Sequence, residues 1–427
     1  MNWKRWLAGW LLAACLLPCL AGGSRAEGTA GHEPQDITKR VDVHLLTSKK
    51  KLTELRDRKY KTYLTLRAGG VIEIDGKGQA MGGVFLQYYD RTAPCSVEVW
   101  QGDAWQKIAD CGAYLTEWVA FPEETGKARI QNGDGARLML AELTVYEPGG
   151  RPARATEWTE TDKADIMLLV CHPDDELLWF GGLLPTYAGE RGLRVQVVYA
   201  VPSTPNRRLE LLDGLWHCGV HIYPQFLGMR DAHSYALTKQ YKLWRKSTLQ
   251  SRITEMIRRF KPEVLVTHDM NGEYGHGGHK AIADCATQCV GIAANPEKYA
   301  ESAQAWGAWQ VKKCYVHLWD QGKLRFDWHQ PLAAFGGKDG MTVAKEAFAF
   351  HRSQTGHGWE MEEGGPCDNS LFGLYSTTVG ADEARDDLME HIGAEAETET
   401  ENADQAEAGP GDALEIEEIL LEGDDTL

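Results

Sequence analysis

Two folded parts in succession are what this sequence predicts: an antiparallel β-sandwich, then an α/β domain whose largely parallel sheet carries helices on both faces. Three observations support the expectation. Residues 36–148 break into short segments that alternate apolar and polar residues between turns, the pattern of half-buried strands. From Ala164 onward, apolar runs of strand length alternate with helical runs, which implies parallel strands joined by crossover helices. The length of 427 residues also exceeds what one hydrophobic core ordinarily holds.

Residues 1–26 read as a signal peptide. Lys4 and Arg5 precede an apolar run from Trp6 to Ala21, and Ser24 and Ala26 stand as a small-residue cleavage signal. The run is short for a membrane span. The mature chain is therefore expected to be secreted or at the cell surface, with no transmembrane span. Leu12-Ala13-Ala14-Cys15 resembles a bacterial lipobox, which would make a lipoprotein anchored at Cys15; the apolar residues after Cys15 argue against it. An uncleaved anchor is the remaining alternative.

The strand segments of residues 36–148 are YKTYLTLRAGGVIEIDG, GGVFLQYYD, CSVEVWQGDAWQKIAD and RLMLAELTVYE. This part resembles the galactose-binding-like, discoidin-type sandwiches through Tyr60, Thr62 and Tyr63, Val99 and Trp100 with Trp105, and the closing LAELTVYEP. The resemblance implies a carbohydrate contact, which exposed Trp100 and Trp105 would suit; packing of both in a sandwich core is the preferred reading. Cys95 and Cys111 could join neighbouring strands, since export permits disulfides. No C-x-x-C pair exists, which argues against a cysteine zinc site. Cys285 and Cys289, one helical turn apart, suit buried helix positions.

Residues 149–163 have linker composition. Over 164–380 the order is strand ADIMLLV, helix DELLWFGGLLPTYAGERG, strand RVQVVYAV, helix NRRLELLDGLWHCGV, strand HIYPQFLG, helix STLQSRITEMIRRFKP, strand EVLVTHD, helix GHKAIADCATQCVGIAA and strand KKCYVHLW. Residues 381–427 hold 18 acidic residues against one basic residue, leaving 44 of each in the rest of the chain. The net charge of −17 therefore belongs to this tail, whose composition predicts disorder. The near-neutral remainder offers no basic field, so no nucleic-acid partner is expected.

Ligands of such sheets bind beyond the carboxyl ends of strands, where two stretches stand out. LLVCHPDDE ends a buried strand on an imidazole and three carboxylates, a costly set unless compensated. His172 with one or two of these carboxylates suits a divalent ion that needs a further ligand from another strand end. MNGEYGHGGHK, after EVLVTHD, offers His276 and His279 three apart, so that both can face one pocket in different roles.

HPDDE paired with GEYGHGGH resembles the PIG-L/LmbE-type zinc-dependent N-acetylglucosaminyl deacetylases, whose domain is Rossmann-like. Further points of likeness are the R-x-x-E pattern of Arg207–Glu210, the Gly-Val turn after it, FLGMRD ending in Asp231, and the late helix AFAFHRSQ. The resemblance implies that His172, Asp175 and His279 bind Zn2+; Fe2+ would suit the same ligands. It implies Asp174 as general base and His276 as the residue that stabilises the oxyanion or protonates the leaving amine. Arg207 and Asp231 either hold sugar hydroxyls or form a buried ion pair, and Tyr274 either hydrogen-bonds the carbonyl or walls the pocket. The bland alternative for Asp174 is a helix cap. Glu176 is expected to support the first helical turn, His268 and Asp269 to support the site, and Cys171 to pack on the opposite side. His217, His221 and His233 are given no role.

The expected function is thus an exported hydrolase that removes acetyl from an N-acetylglucosamine-type sugar or glycan. The alternatives are an amidase using the same zinc site and an inactive carbohydrate-binding surface protein. TPNRR and the apparent rim insertion from Asp231 to Lys246 depart from the family loops, which leaves the sugar open.

Overall fold

The computed structural model describes residues 33–48, 52–90, 92–133 and 137–393. The expected signal peptide and the part of the acidic tail beyond Gly393 lie outside the described residues.

Nine strands come first: β1 (Asp42–Leu45), β2 (Leu64–Leu66), β3 (Val71–Asp75), β4 (Gly83–Tyr88), β5 (Cys95–Gln101), β6 (Ala104–Cys111), β7 (Thr116–Ala120), β8 (Lys127–Asn132) and β9 (Leu138–Tyr146). They form two antiparallel sheets, ordered β1-β3-β8-β5-β6 and β2-β9-β4-β7. Alternation sorts their side chains: Ile72, Ile74, Val97, Val99, Ala128 and Ile130 are all buried. Cys95 and Cys111 are directly opposed across β5 and β6, both buried as free thiols, with Tyr88 Oη 3.4 Å from Cys95 Sγ. Trp100 and Trp105 do not join the core. They pair edge-to-face at 5.4 Å on the surface, Trp100 42% exposed, because the strand period turns them away from Val97 and Val99. The Arg129 guanidinium covers Trp105 at 4.5 Å.

Residues 149–163 do not hang free as their composition suggested. Ala155 and Thr156 are fully buried, and the Trp158 indole donates to Thr116 Oγ1 at 2.7 Å and meets Trp216 at 5.5 Å. Buried aromatic surface outweighs the flexibility expected of Gly, Pro and Thr. Nearby, Tyr60 Oη donates to Asp213 at 2.5 Å and accepts from Gln87 and Arg154, both at 3.1 Å.

The second half contains β10 (Ile166–Val170), α1 (Asp175–Leu178), β11 (Val195–Tyr199), α2 (Pro205–His217), β12 (Gln225–Phe226), α3 (Leu237–Leu243), α4 (Lys246–Phe260) and β13 (Val264–Thr267). It continues with α5 (Gly277–Ala294), α6 (Ala300–Trp306), β14 (Lys313–His317), β15 (Lys323–Arg325), the short hairpin β16 (Pro331–Leu332) and β17 (Lys338–Asp339), α7 (Gly340–Phe348) and β18 (Leu371–Thr377). Its sheet runs β12-β11-β10-β13-β14-β18-β15, parallel through β14 and antiparallel beyond. Residues of β10 alternate between two cores. Ile166, Leu168 and Val170 pack in one with Leu209, Leu212 and Leu215 of α2; Met167, Leu169 and Cys171 join Ile253 and Ile257 of α4 and Ile282 of α5 in the other. That double burial is why the strand reads as an unbroken apolar run.

Four expectations are corrected here. The helix expected over 175–192 stops at Leu178, because Gly181 takes φ 50° and the Trp328 ring lies against Gly182; a π-helical turn follows at Pro185–Glu190. The strand HIYPQFLG shrinks to Gln225–Phe226. The late helix begins at Gly340, capped by Asp339 at 2.6 Å from the Thr342 N–H, and ends at Phe348, so His351 to Gln354 form turns. Residues 381–393 are packed and not disordered. β14 opens on the fully buried Lys313, which pairs with Asp382, while Tyr315 donates to Asp382 at 2.7 Å and Leu388 is buried. A buried ammonium needs that partner.

Candidate functional site

The sheet's order reverses beside β10, and there two loops meet. One runs from β10 through His172 into α1; the other runs from β13 through His268, Glu273 and Tyr274 to His276 and α5. Asp174 holds φ 133°, a conformation side chains rarely adopt. It divides the two neighbouring carboxylates. Asp174 Oδ1 accepts from Arg207 Nη2 at 2.7 Å, and no side-chain cap bond forms. Asp175 Oδ2 accepts from the His172 N–H at 2.6 Å, and Oδ1 from Trp179 Nε1 at 2.9 Å.

Asp175 Oδ2 lies 3.3 Å from His172 Nδ1 and 3.4 Å from His279 Nε2. Atoms about 2.0–2.1 Å from one tetrahedral zinc stand about 3.3–3.4 Å apart, so these spacings fit such an ion. Cys171, His172, His276 and His279 form one cluster of ligand-capable atoms, and Asp175, His268 and His279 another. The chemistry of the atoms narrows both. His268 Nε2 already accepts the Cys171 N–H at 2.9 Å. Burial opposes charge on His268 while Glu273 and Asp175 favour it and raise its pKa; the N–H donated into Nε2 decides for a neutral ring protonated at Nδ1. Burial and then Asp175 push the Cys171 thiol well up, leaving it protonated, with Sγ 3.6 Å from His172 Nε2. It packs in the core with Ile253 and Ile282, as expected, while its Sγ also reaches the edge of the site. His276 Nδ1 accepts from the Gly278 N–H at 3.2 Å, which puts its proton on Nε2. Burial and the neighbouring imidazoles of His279 and His172 hold its pKa at about 2. His279 Nε2 is buried without any partner in the protein. That orphaned lone pair, beside Asp175, is what a metal ligand looks like.

Beneath the site sits Glu273, fully buried, which sequence reasoning overlooked. Its carboxylate meets His268 Nδ1 at 2.8 Å, His279 Nδ1 at 2.7 Å and His317 Nδ1 at 2.7 Å. Burial opposes its charge, yet His268 and the imidazole hydrogen bonds hold it well below the carboxylate range. By occupying His279 Nδ1, Glu273 leaves Nε2 to face Asp175. Its sequence signal was a carboxylate inside GEYGHGGH, and His317 stood at a strand's carboxyl end.

The cleft, about 180 Å³, is lined by His172, Asp174, Asp175, Arg207, Tyr274 and His276 among others. The structure thus gathers most of the expected residues in one place. Asp231 lines the cleft too, at its open side: its side chain is 59% exposed and lies 3.9 Å from His172 Nε2. Arg207 pairs with Asp174 and not with Asp231, and its Nε has no partner. His233, given no role from sequence, lines the cleft 5.0 Å from the His276 ring; Trp179, Gln354 and Trp359 also line it. Glu176 Oε2 accepts the Asp174 N–H at 2.8 Å, and Oε1 lies 3.1 Å from His351 Nε2, so it supports the loop. Burial pushes Asp174 up to about 7, against the pull of Arg207. Burial opposes charge on Asp175, but hydrogen bonding from His172 favours it, and the carboxyl lies well below the carboxylate range. A larger cavity of 610 Å³ lies elsewhere, around Gly189, Arg194 and Gly219, away from both ligand-capable clusters.

Residues 167–290 match the family described as PIG-L: GlcNAc-PI de-N-acetylase. Two similar relatives are named 1D-myo-inositol 2-acetamido-2-deoxy-alpha-D-glucopyranoside deacetylases. That of Catenulispora acidiphila is 28% identical over 206 residues, 41% of this chain and 61% of the relative. That of Rhodococcus jostii is 28% identical over 178 residues, 35% of this chain and 60% of the relative. The match thus spans about three fifths of the length of these relatives. Among solved structures, the N,N'-diacetylchitobiose deacetylase of Pyrococcus horikoshii is similar at 18% identity, covering 45% of this chain and 71% of that one, with a TM-score of 0.33.

Proposed function

We propose that this protein is a metal-dependent hydrolase that removes the acetyl group from an N-acetylated amino sugar. The observation that carries the reading is the orphaned His279 Nε2 beside Asp175, which lines one cleft with the strained, raised Asp174. His172, Asp175 and His279 would hold a zinc ion. Once bound, such an ion supplies a more acidic water and a polarised carbonyl.

The chain's own groups do the rest. Asp174, poised near neutrality, accepts the proton of the attacking water. His276, its Nε2–H free, donates a hydrogen bond toward the oxygen that gains charge, and the proton that Asp174 took from the water passes to the departing nitrogen. The Tyr274 phenol, its pKa raised by burial, stays a donor beside them. Arg207 Nε awaits an acceptor on the sugar, and exposed Asp231 offers its carboxylate to a hydroxyl.

We read the second half as Rossmann-like and the two antiparallel sheets as a galactose-binding-like sandwich. The exposed Trp100–Trp105 pair suits a glycan contact there, and the leader suits export. The test is zinc content together with acetate release from chitooligosaccharide and peptidoglycan fragments. Zinc with acetate supports the reading. Zinc with release of a different acid would favour an amidase, and glycan binding without any turnover a binding protein.

A further inference from the structure

We propose that a second cavity adjoining the cleft is a pyranose subsite, so that the substrate is a glycan of at least two rings whose acetylated ring is bound next to another. This rests on the deacetylase reading and extends it to the length and charge of the substrate.

The cavity is larger than the cleft, about 330 Å³ against 180 Å³. The two share one wall: Trp179, Tyr274 and Trp359 line both. The Tyr274 and Trp359 rings lie 4.3 Å apart at 35°, and Trp179 meets Trp359 edge-on at 5.9 Å. Trp179 is fixed by its bond to Asp175, so the wall is anchored on the candidate metal ligand. Tyr274 and Trp359 remain 38% and 41% exposed, so both rings are open to a ligand in these two cavities.

A pyranose has one face of C–H bonds and a rim of hydroxyls. Indole and phenol rings cover the first, and acceptors bind the second. Asp269, Glu360 and Glu362 supply carboxylates in this cavity, whereas no basic side chain lines it. An anionic appendage such as a phosphate would find no counter-charge; a neutral or free-amino sugar finds acceptors. Backbone strain gathers here too. Tyr274 (φ 46°) and Leu318 (φ 58°) both line the cavity, and held outliers of this kind cluster at ligand clamps. A single ring seated in the cleft would leave the second cavity, and the face of the shared wall turned toward it, uncovered.

The test is calorimetric binding of N-acetylglucosamine and N,N'-diacetylchitobiose to the full zinc-loaded chain carrying Asp174→Asn to prevent turnover. The expected result is a disaccharide bound about tenfold or more tighter than the monosaccharide, with Trp359→Ala removing that difference and Trp359→Phe retaining most of it. Equal affinity for the two sugars, or an equal loss for both in Trp359→Ala, overturns the subsite. Failure of the deacetylase reading shows separately, as a zinc-loaded wild-type chain that releases acetate from neither sugar while the binding comparison still stands.

Discussion

Asp174 in the cleft and Glu142 in the β-sheet half carry the same perturbation. Burial pushes each carboxyl up to about 7, with Asp57 adding to the effect at Glu142. Each is opposed by a donor: Arg207 at 2.7 Å for Asp174, the Lys59 N–H at 2.8 Å for Glu142. The surroundings differ. Asp174 borders an open cavity that also meets Arg207, whose Nε has no partner, and it adjoins Asp175 beside the orphaned His279 Nε2. Glu142 sits within β9, 4% exposed, facing Asp57. A raised carboxyl therefore records burial. Unpartnered buried atoms converging on open volume record a site.

Converting each carboxylate to its amide breaks the comparison most sharply. Asp174→Asn is expected to lower acetate release by about 10²–10⁴-fold, the range for losing a general base, with zinc content unchanged. Glu142→Gln should leave turnover and zinc content as they are. Equal activity of Asp174→Asn and the wild type in an acetate assay would falsify the role given to Asp174.

The next largest effect lies beneath the cleft. Glu273→Gln retains the shape but removes the charge and turns one of the two acceptor oxygens into an NH2 donor, so the three imidazole N–H groups no longer all find an acceptor and the tautomer of His279 is held less firmly. Zinc affinity should fall by about 10–100-fold, the usual cost of losing such a partner. Competition with a chromogenic chelator measures it; an unchanged affinity would mean that packing alone orients His279.

A smaller effect is expected at Arg207. Arg207→Lys preserves the charge beside Asp174 but deletes the unpartnered Nε and the planar fork. KM for the sugar should rise by about tenfold with kcat less affected, the loss of one hydrogen bond to a charged donor. A fall in kcat with KM unmoved would place Arg207 with Asp174 alone and remove it from the sugar.

How much of this was legible in sequence follows from which signals are local. The unbroken apolar β10 and the alternating strands of the first half announced themselves, because burial on both faces or one face leaves a direct pattern. HPDDE and GHGGH announced the cleft, since polar groups at the end of a buried strand must be compensated. Glu273, His317 and Trp359 did not. Their roles depend on which distant atoms they meet, and no period in the chain encodes that. The helix break after Leu178 leaves no local signal, because Gly181 and Gly182 read as helix interior while Trp328 and Asn369, far along the chain, occupy the space beside them. The packed start of the acidic tail was missed for the same reason: its composition is that of disorder, but Lys313 needs Asp382.

The smallest effect sharpens the comparison from the side of stability. Glu142 has a folded pKa of about 7 against an ordinary 4.5. A carboxyl raised in the folded state binds protons more tightly there than in the unfolded chain, so stability falls as pH rises from about 4.5 to 7 and stays lower above that. Glu142→Gln removes the ionisation and should stabilise the protein at pH 8 by about 1 kcal/mol after screening is allowed for, with little change at pH 4. Thermal melts of the two proteins at both pH values measure the difference. A gain of the same size at pH 4 would show that the amide merely packs better and that Glu142's charge costs the fold nothing. The same pH-dependent gain in Asp174→Asn, accompanied by lost turnover, would mark the cleft carboxylate as strain retained for chemistry.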